Sequence, residues 1–184
     1  MKNTLRLQRE DTASVIIDVQ EKLFPLIHEH ELLAKNMSIL IRGLKVLGVP
    51  MLVTQQYTKG LGTTIKQISD TIGDYSHIEK MAFSCCGDEG FMSEFKKLNK
   101  KNVILAGIEA HVCVLQTTLD LLEAGYQPVV IEDCVSSRFP VNKQVAIERM
   151  RQAGAIISTY ESILFELTEI SGTDLFKSIV KLVK

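Results

Sequence analysis

A three-layer α/β/α domain with a mostly parallel central sheet is the fold class this sequence predicts, from three observations. Short apolar runs alternate along the chain with stretches whose apolar residues recur at helical spacing. Such alternation calls for a parallel sheet with helices on both faces. The runs, 103–106 for example, are apolar almost throughout, as strands buried on both faces are. The third observation is size. At 46% hydrophobic content, 184 residues fill one domain over 1–184 with a sizeable core, and no repeat, low-complexity segment or proline-rich linker divides it.

The first strand, 14–19, carries an acid at its end, Asp18. Pro25 interrupts the next stretch, so 20–28 reads as a loop with a short helical turn. Residues 31–47 form a long amphipathic helix, with Leu32, Leu33, Met37, Leu40, Ile41, Leu44 and Leu47 on its core side and Gly48 as its stop. The second strand is 49–54, and QQYTKGLG (55–62) reads as a polar, glycine-bearing loop. A weak helix at 64–72, an extended segment at 77–80 and a short helix at 90–98 lead to the apolar run 103–106. Gly107 ends that run. From Val112 the period changes, with Val112, Leu115, Leu119 and Leu122 at helical spacing and Gly125 closing the helix. A strand at 127–132 ending in Asp133, a helix at 142–153, a last strand at 155–158 and terminal helices at 162–167 and 174–182 complete the chain.

Cys113 therefore stands where a buried strand hands over to a helix. Amides of a first helical turn lack intrahelical partners and carry partial positive charge, which favours a thiolate and can hold an oxyanion forming beside the sulfur. Position alone leaves an inert core cysteine equally open. In open parallel sheets, ligands bind beyond the carboxyl ends of the strands. Asp18, the glutamines 55 and 56, and Cys113 all follow strands and so can meet along one edge. Net charge is −1, with 21 basic and 22 acidic residues in no long run, so no electrostatic footprint for nucleic acid or an anionic membrane is written in the chain. The four cysteines have neither zinc-type nor CxxC spacing and read as reduced thiols. No apolar run reaches membrane-spanning length. The expected location is cytoplasmic, with a faint organelle-targeting look in the basic residues 1–9 that Glu10 and Asp11 cut short.

Four blocks together resemble the isochorismatase-like cysteine hydrolase superfamily: IDVQ (17–20); Glu79-Lys80 with Phe83; GIEAHVCV (107–114); and DCVSSR (133–138). The resemblance runs from about Ala13 to Ile163, and the small branch of isochorismatase domain-containing proteins is similar also in QYTKGLG. It implies the isochorismatase-like hydrolase fold and a triad of Asp18, Lys80 and Cys113. It also implies a cis peptide between Ile108 and Glu109, with the amides of Glu109 and Cys113 as the oxyanion hole. Nicotinamidases of this kind carry a histidine-based metal site after the second strand. Here that place reads QQYTK (55–59), so no metal or other cofactor is expected, and the four histidines are scattered.

A thiol of pKa about 8.5 is mostly protonated at neutral pH. Lys80 and the helix start would favour the thiolate, lowering its titration below that of a free thiol, while Asp18 would take the thiol proton and return it to a leaving amine. The expected function is hydrolysis of an amide or related C–N bond in a small molecule, through a thioester on Cys113. The alternative is a non-catalytic, oligomeric binding protein that retains the pocket. Taken singly, Asp18 reads equally as a turn-capping carboxylate and Lys80 as a solvated surface lysine. Gln20, Phe24, Gln55, Tyr57 and Phe83 are the candidate substrate-binding residues, each with a plain structural reading beside it. A homo-oligomer is expected, with the terminal helices as the contact elements.

Overall fold

Near-continuous apolar runs pair edge to edge because each can bury both of its faces only inside a sheet. In the computed structural model, which describes residues 6–184, they do so as six strands. These are β1 (Thr12–Ile17), β2 (Met51–Gln56), β3 (His77–Lys80), β4 (Asn102–Ile108), β5 (Gln127–Ser136) and β6 (Ile156–Ser158). Every pairing is parallel, in the order β3-β2-β1-β4-β5-β6. The first five residues of the basic opening lie outside the described residues.

Alternation along the strands sends side chains to two separate cores. Ile16, Val53, Ile104, Ala106 and Ile108 face one core, which α1 (His30–Val46), α3 (Lys66–Ile72), α7 (Tyr160–Thr168) and α8 (Asp174–Val183) cover through Leu33, Met37, Leu40, Leu44, Ile68, Leu164 and Ile179. Ala13, Val15, Ile17, Val103 and Leu105 face the other. There α4 (Glu89–Lys97), α5 (Leu115–Glu123) and α6 (Pro140–Ala153) close the layer with Phe91, Phe95, Leu121, Ile147 and Met150. Three layers result.

Several expectations shift. Leu32, assigned to the core side of α1, is 51% exposed, and Ala34 and Ser38 are buried there instead. Gly43 lets Leu164 of α7 lie directly against the helix backbone. β5 runs on past 132 to Ser136: it carries the extra residues of a register shift opposite Leu105–Gly107, beyond which Val135 and Ser136 pair with Gly107 and Ile108. The loop after β2 contains a single helical turn, α2 (Thr58–Leu61). The terminal helices turn Leu164, Leu167 and Ile179 into their own core, with Phe165, Leu175 and Leu182 packed against it. Part of their apolar face is thus buried within the chain, and large exposed apolar side chains also include Phe139, Val141 and Val145 at the start of α6. Among the described residues no helix is long and apolar enough to cross a membrane.

The chain leaves β1 toward β2 and β4 toward β5, so successive strands run outward in opposite directions from the β1–β4 pair. A sheet wound this way opens a crevice at the carboxyl ends of those two strands. Gly107 permits their close approach, because a Cβ there would collide with the backbone and Cβ of Ile17.

Candidate active site

Asp18 is the first residue past β1 and turns the chain through a left-handed φ of 53°. It is 1% exposed. A buried carboxylate must be paired and hydrogen-bonded, and Asp18 is both: Oδ1 accepts from Thr54 Oγ1 at 2.8 Å and Oδ2 from Lys80 Nζ at 2.6 Å. Lys80 ends β3, and its side chain is fully buried. Its Nζ also donates to Gln56 Oε1 at 2.8 Å, Phe83 O at 2.9 Å and Ala82 O at 3.3 Å. Burial alone pulls the Lys80 ammonium down. The charge of the Asp18 carboxylate and its hydrogen bond outweigh it, so the pKa stands above the ordinary value. The ammonium is charged.

β4 ends at Ile108, and Glu109 reverses the chain at φ 54° into one π-helical turn, Ala110–Val114, that precedes α5. Single π-turns recur at functional sites. Cys113 lies in this turn, 6% exposed. Its thiol is raised above the ordinary value, first by burial, then by the Asp18 charge, with a further contribution from its hydrogen bond to Asp18; Lys80 pulls the other way and loses. The expected low-titrating thiolate is thereby corrected: Lys80 spends its charge on Asp18, and the resting sulfur is a neutral thiol facing a carboxylate. The expected cis peptide is corrected too. The Ile108–Glu109 bond is trans, and the left-handed backbone of Glu109 makes the turn.

Over Cys113 opens a cavity of about 330 Å³. Leu23, Leu61, Phe83, Ile108 and Val112 form its apolar wall, and Asp18, Gln56, Glu109 and Arg138 its polar one. Of the residues singled out from sequence, Asp18, Lys80 and Cys113 come together, Glu109 lines the cavity beside them, and Phe83, 55% exposed, stands at the rim. The others go elsewhere. Gln20 is wholly buried as a brace, donating from Nε2 to Gln56 O and Gly62 O and accepting at Oε1 from the Gln56 amide. Gln55 points to the opposite face of β2, where it bonds Thr64 and Thr58. Phe24 packs on the α1 core, edge-on to His30 at 5.2 Å. Tyr57 lies over Gly60 outside the cavity.

Sequence reasoning placed Gln56 at this edge but not among the substrate-binding residues, and it missed Thr54 and the apolar wall other than Phe83. The period-2 rule held the signal for the two polar residues, since Thr54 and Gln56 share a face of β2 and Gln56 pairs in register with Lys80. Cys85, one of the four reduced thiols, is completely buried against Thr117 and Thr54 and is pushed up to about 12, by burial first and then by Asp18. His111 sits behind Glu109 rather than on the cavity wall, with Nδ1 3.0 Å from Ser137 Oγ. Among the described residues no three His, Cys, Asp or Glu stand together as a metal-holding group.

The family model described as Isochorismatase domain matches residues 12–162. Over 183 residues the chain is 39% identical to the secreted isochorismatase effector Isc1 of Phytophthora sojae, covering 97% of this chain and 87% of that one. The structure of MAR1 ribonuclease from Caenorhabditis elegans is similar at a TM-score of 0.90 and 38% identity, covering 97% of this chain and 92% of that one. The YcaC gene product of Escherichia coli, described as an octameric hydrolase of unknown specificity, is similar at a TM-score of 0.91 and 25% identity, covering 99% and 91%.

Proposed function

The chain belongs to the isochorismatase family, and we propose that within it the protein is a single-domain cysteine hydrolase cleaving an amide or related C–N bond of a small molecule. The observation that carries this reading is the buried Asp18 carboxylate, bonded to the Lys80 ammonium at 2.6 Å and facing the neutral Cys113 thiol. A neutral thiol needs a base at the moment of attack. Asp18 takes the proton as the sulfur adds to the substrate carbonyl carbon, and the carbonyl oxygen gains the negative charge. With the Ile108–Glu109 bond trans, the backbone amide of Cys113 is the proposed donor to that oxyanion. On collapse, the C–N bond breaks, Asp18 returns its proton to the departing nitrogen, and a thioester remains on Cys113. Asp18 then takes a proton from water, hydroxide adds to the thioester, and the departing sulfur recovers the proton. Lys80, bonded to Oδ2, holds Asp18 in place through the cycle. No step needs a cofactor.

Substrate contacts fall to Phe83 with Leu23, Leu61 and Val112, while Gln20, Phe24, Gln55 and Tyr57 hold the surrounding loops. A purely binding protein has no use for a buried carboxylate–ammonium pair beside a thiol, since desolvating such a pair costs several kcal/mol per ion. The neighbour's name suggests ribonuclease activity, but Arg138, the cation on the cavity wall, is already paired with Glu109 and offers a phosphodiester little. A homo-oligomer is proposed as well, supported by the octameric neighbour and by exposed Phe139, Val141 and Val145. The test is a screen of amides, hydroxamates and ureido compounds with intact-mass detection. An acyl adduct on Cys113 is expected; turnover that survives Cys113→Ser at the parent rate would overturn the reading.

A further inference from the structure

The cavity wall holds a second ion pair, which the hydrolytic cycle does not use. Glu109 lines the cavity and is 7% exposed, and its Oε1 accepts from Arg138 Nε at 2.9 Å. Its Oε2 is buried and is the one such side-chain nitrogen or oxygen without a hydrogen-bond partner among the described residues. His111 Nδ1 stands 3.4 Å from it, but that nitrogen is engaged with Ser137 Oγ at 3.0 Å. A neutral imidazole therefore gives Oε2 no proton, whichever ring nitrogen carries one. A buried acceptor left unmet costs about 1–3 kcal/mol, more when charged, and calls for an explanation. Arg138, with its side chain half exposed, bonds Glu109 through Nε and leaves its two Nη groups without a partner among the described residues.

The charges of the site cancel pair by pair, Asp18 against Lys80 and Glu109 against Arg138. A neutral substrate leaves both pairs intact. A carboxylate-bearing one brings a third anion next to Asp18 and Glu109, facing an arginine already neutralised. We propose that Glu109 is the specificity-determining residue of this cavity. It selects small neutral substrates bearing an N–H donor, of the carboxamide or ureido class, with Oε2 as the acceptor for that N–H, and it disfavours carboxylate-bearing ones. The volume of about 330 Å³ lies at the small end of ligand pockets and suits such a molecule. The inference rests on Cys113 as the reactive group and names the substrate class of that same site.

Two alkylating agents of nearly equal size and opposite character test it directly. Iodoacetamide is neutral and carries an N–H donor, whereas iodoacetate is anionic. In each case the Cys113 sulfur displaces iodide and the thiol proton goes to base. The readout is the ratio of the two rates at Cys113 by peptide mass spectrometry, normalised to free cysteine, at one mildly alkaline pH. The wild type is expected to favour iodoacetamide by about tenfold more than free cysteine does. In Glu109→Gln, Arg138 is no longer neutralised and the ratio falls toward that of free cysteine. Arg138→Gln, at a half-exposed position where folding is secure, leaves Glu109 uncompensated and raises the ratio. A purely structural role for Glu109 would slow both reagents alike. Ratios that stay fixed, or that move the same way in both variants, overturn the proposal while the hydrolase reading stands. Cys113 labelled by neither reagent overturns both.

Discussion

The two ion pairs beside Cys113 are built from the same chemistry and sit in opposite surroundings. Lys80–Asp18 is sealed, at 0% and 2% side-chain exposure and 2.6 Å, and both of its members have all the partners they need. Arg138–Glu109 is only half sealed, at 48% and 9% exposure and 2.9 Å, with one carboxylate oxygen unmet. Water screens a charge that it reaches, so the second pair adds little to folding, while the first is all but irreplaceable once built. The sealed pair fixes where a proton goes. The open one is free to answer to a ligand.

The comparison breaks most visibly through the nucleophile and its base. Cys113→Ser should abolish turnover with a stability change within about 1–2 kcal/mol, since a hydroxyl is far harder to deprotonate than a thiol of similar size. Asp18→Asn should lower kcat by about 10²–10⁴ because the shape stays and the base is lost. Steady-state kinetics on any substrate found in the screen reads both. Lys80→Met comes next. It strands Asp18 as a buried, unpaired anion, and urea unfolding should record a loss of about 3–5 kcal/mol. Arg138→Gln in the same assay should lose less, about 1–3 kcal/mol, because it leaves Glu109 Oε1 unmet at a pair that water partly reaches. Equal losses would erase the distinction drawn between the pairs.

The smallest effect is on alkaline stability. Burial first, then Asp18, pushes Cys85 up to about 12 in the fold, and Cys113 and Lys80 are raised as well. A group raised on folding contributes fully below its unfolded pKa and loses that contribution as pH climbs toward the folded one. The urea midpoint should therefore hold through neutral pH and fall from about pH 9 upward. Cys85→Ala should flatten the early part of that fall.

How far the site could be read in advance follows from the same geometry. Asp18 and Cys113 were legible because each follows a strand, and the winding of the sheet brings those ends together; Lys80 came only with the resemblance, since alone it reads as a solvated lysine. Gln55 was preferred as the pocket residue, yet Gln56 lines the cavity. Neighbours along a strand point to opposite faces, and the strand read as 49–54 runs from Met51 to Gln56, so loop residues became pleated ones. Phe24 and Tyr57 were chosen as aromatic groups near the loops, but the apolar wall is drawn from Leu23, Leu61 and Val112, which no local pattern separates from core. The charge state of Cys113 was out of reach because it depends on which partner Lys80 serves, and the sequence does not say that Asp18 claims it.

The central claim is that Asp18 is a base held against a neutral thiol, and site-resolved alkylation of Cys113 across pH tests it most directly. In the wild type the midpoint should lie above that of an ordinary cysteine. In Asp18→Asn it should fall, because the anion that raised the thiol is gone, even as turnover is lost. A wild-type midpoint below that of a free thiol, or an Asp18→Asn midpoint that rises, would contradict the account.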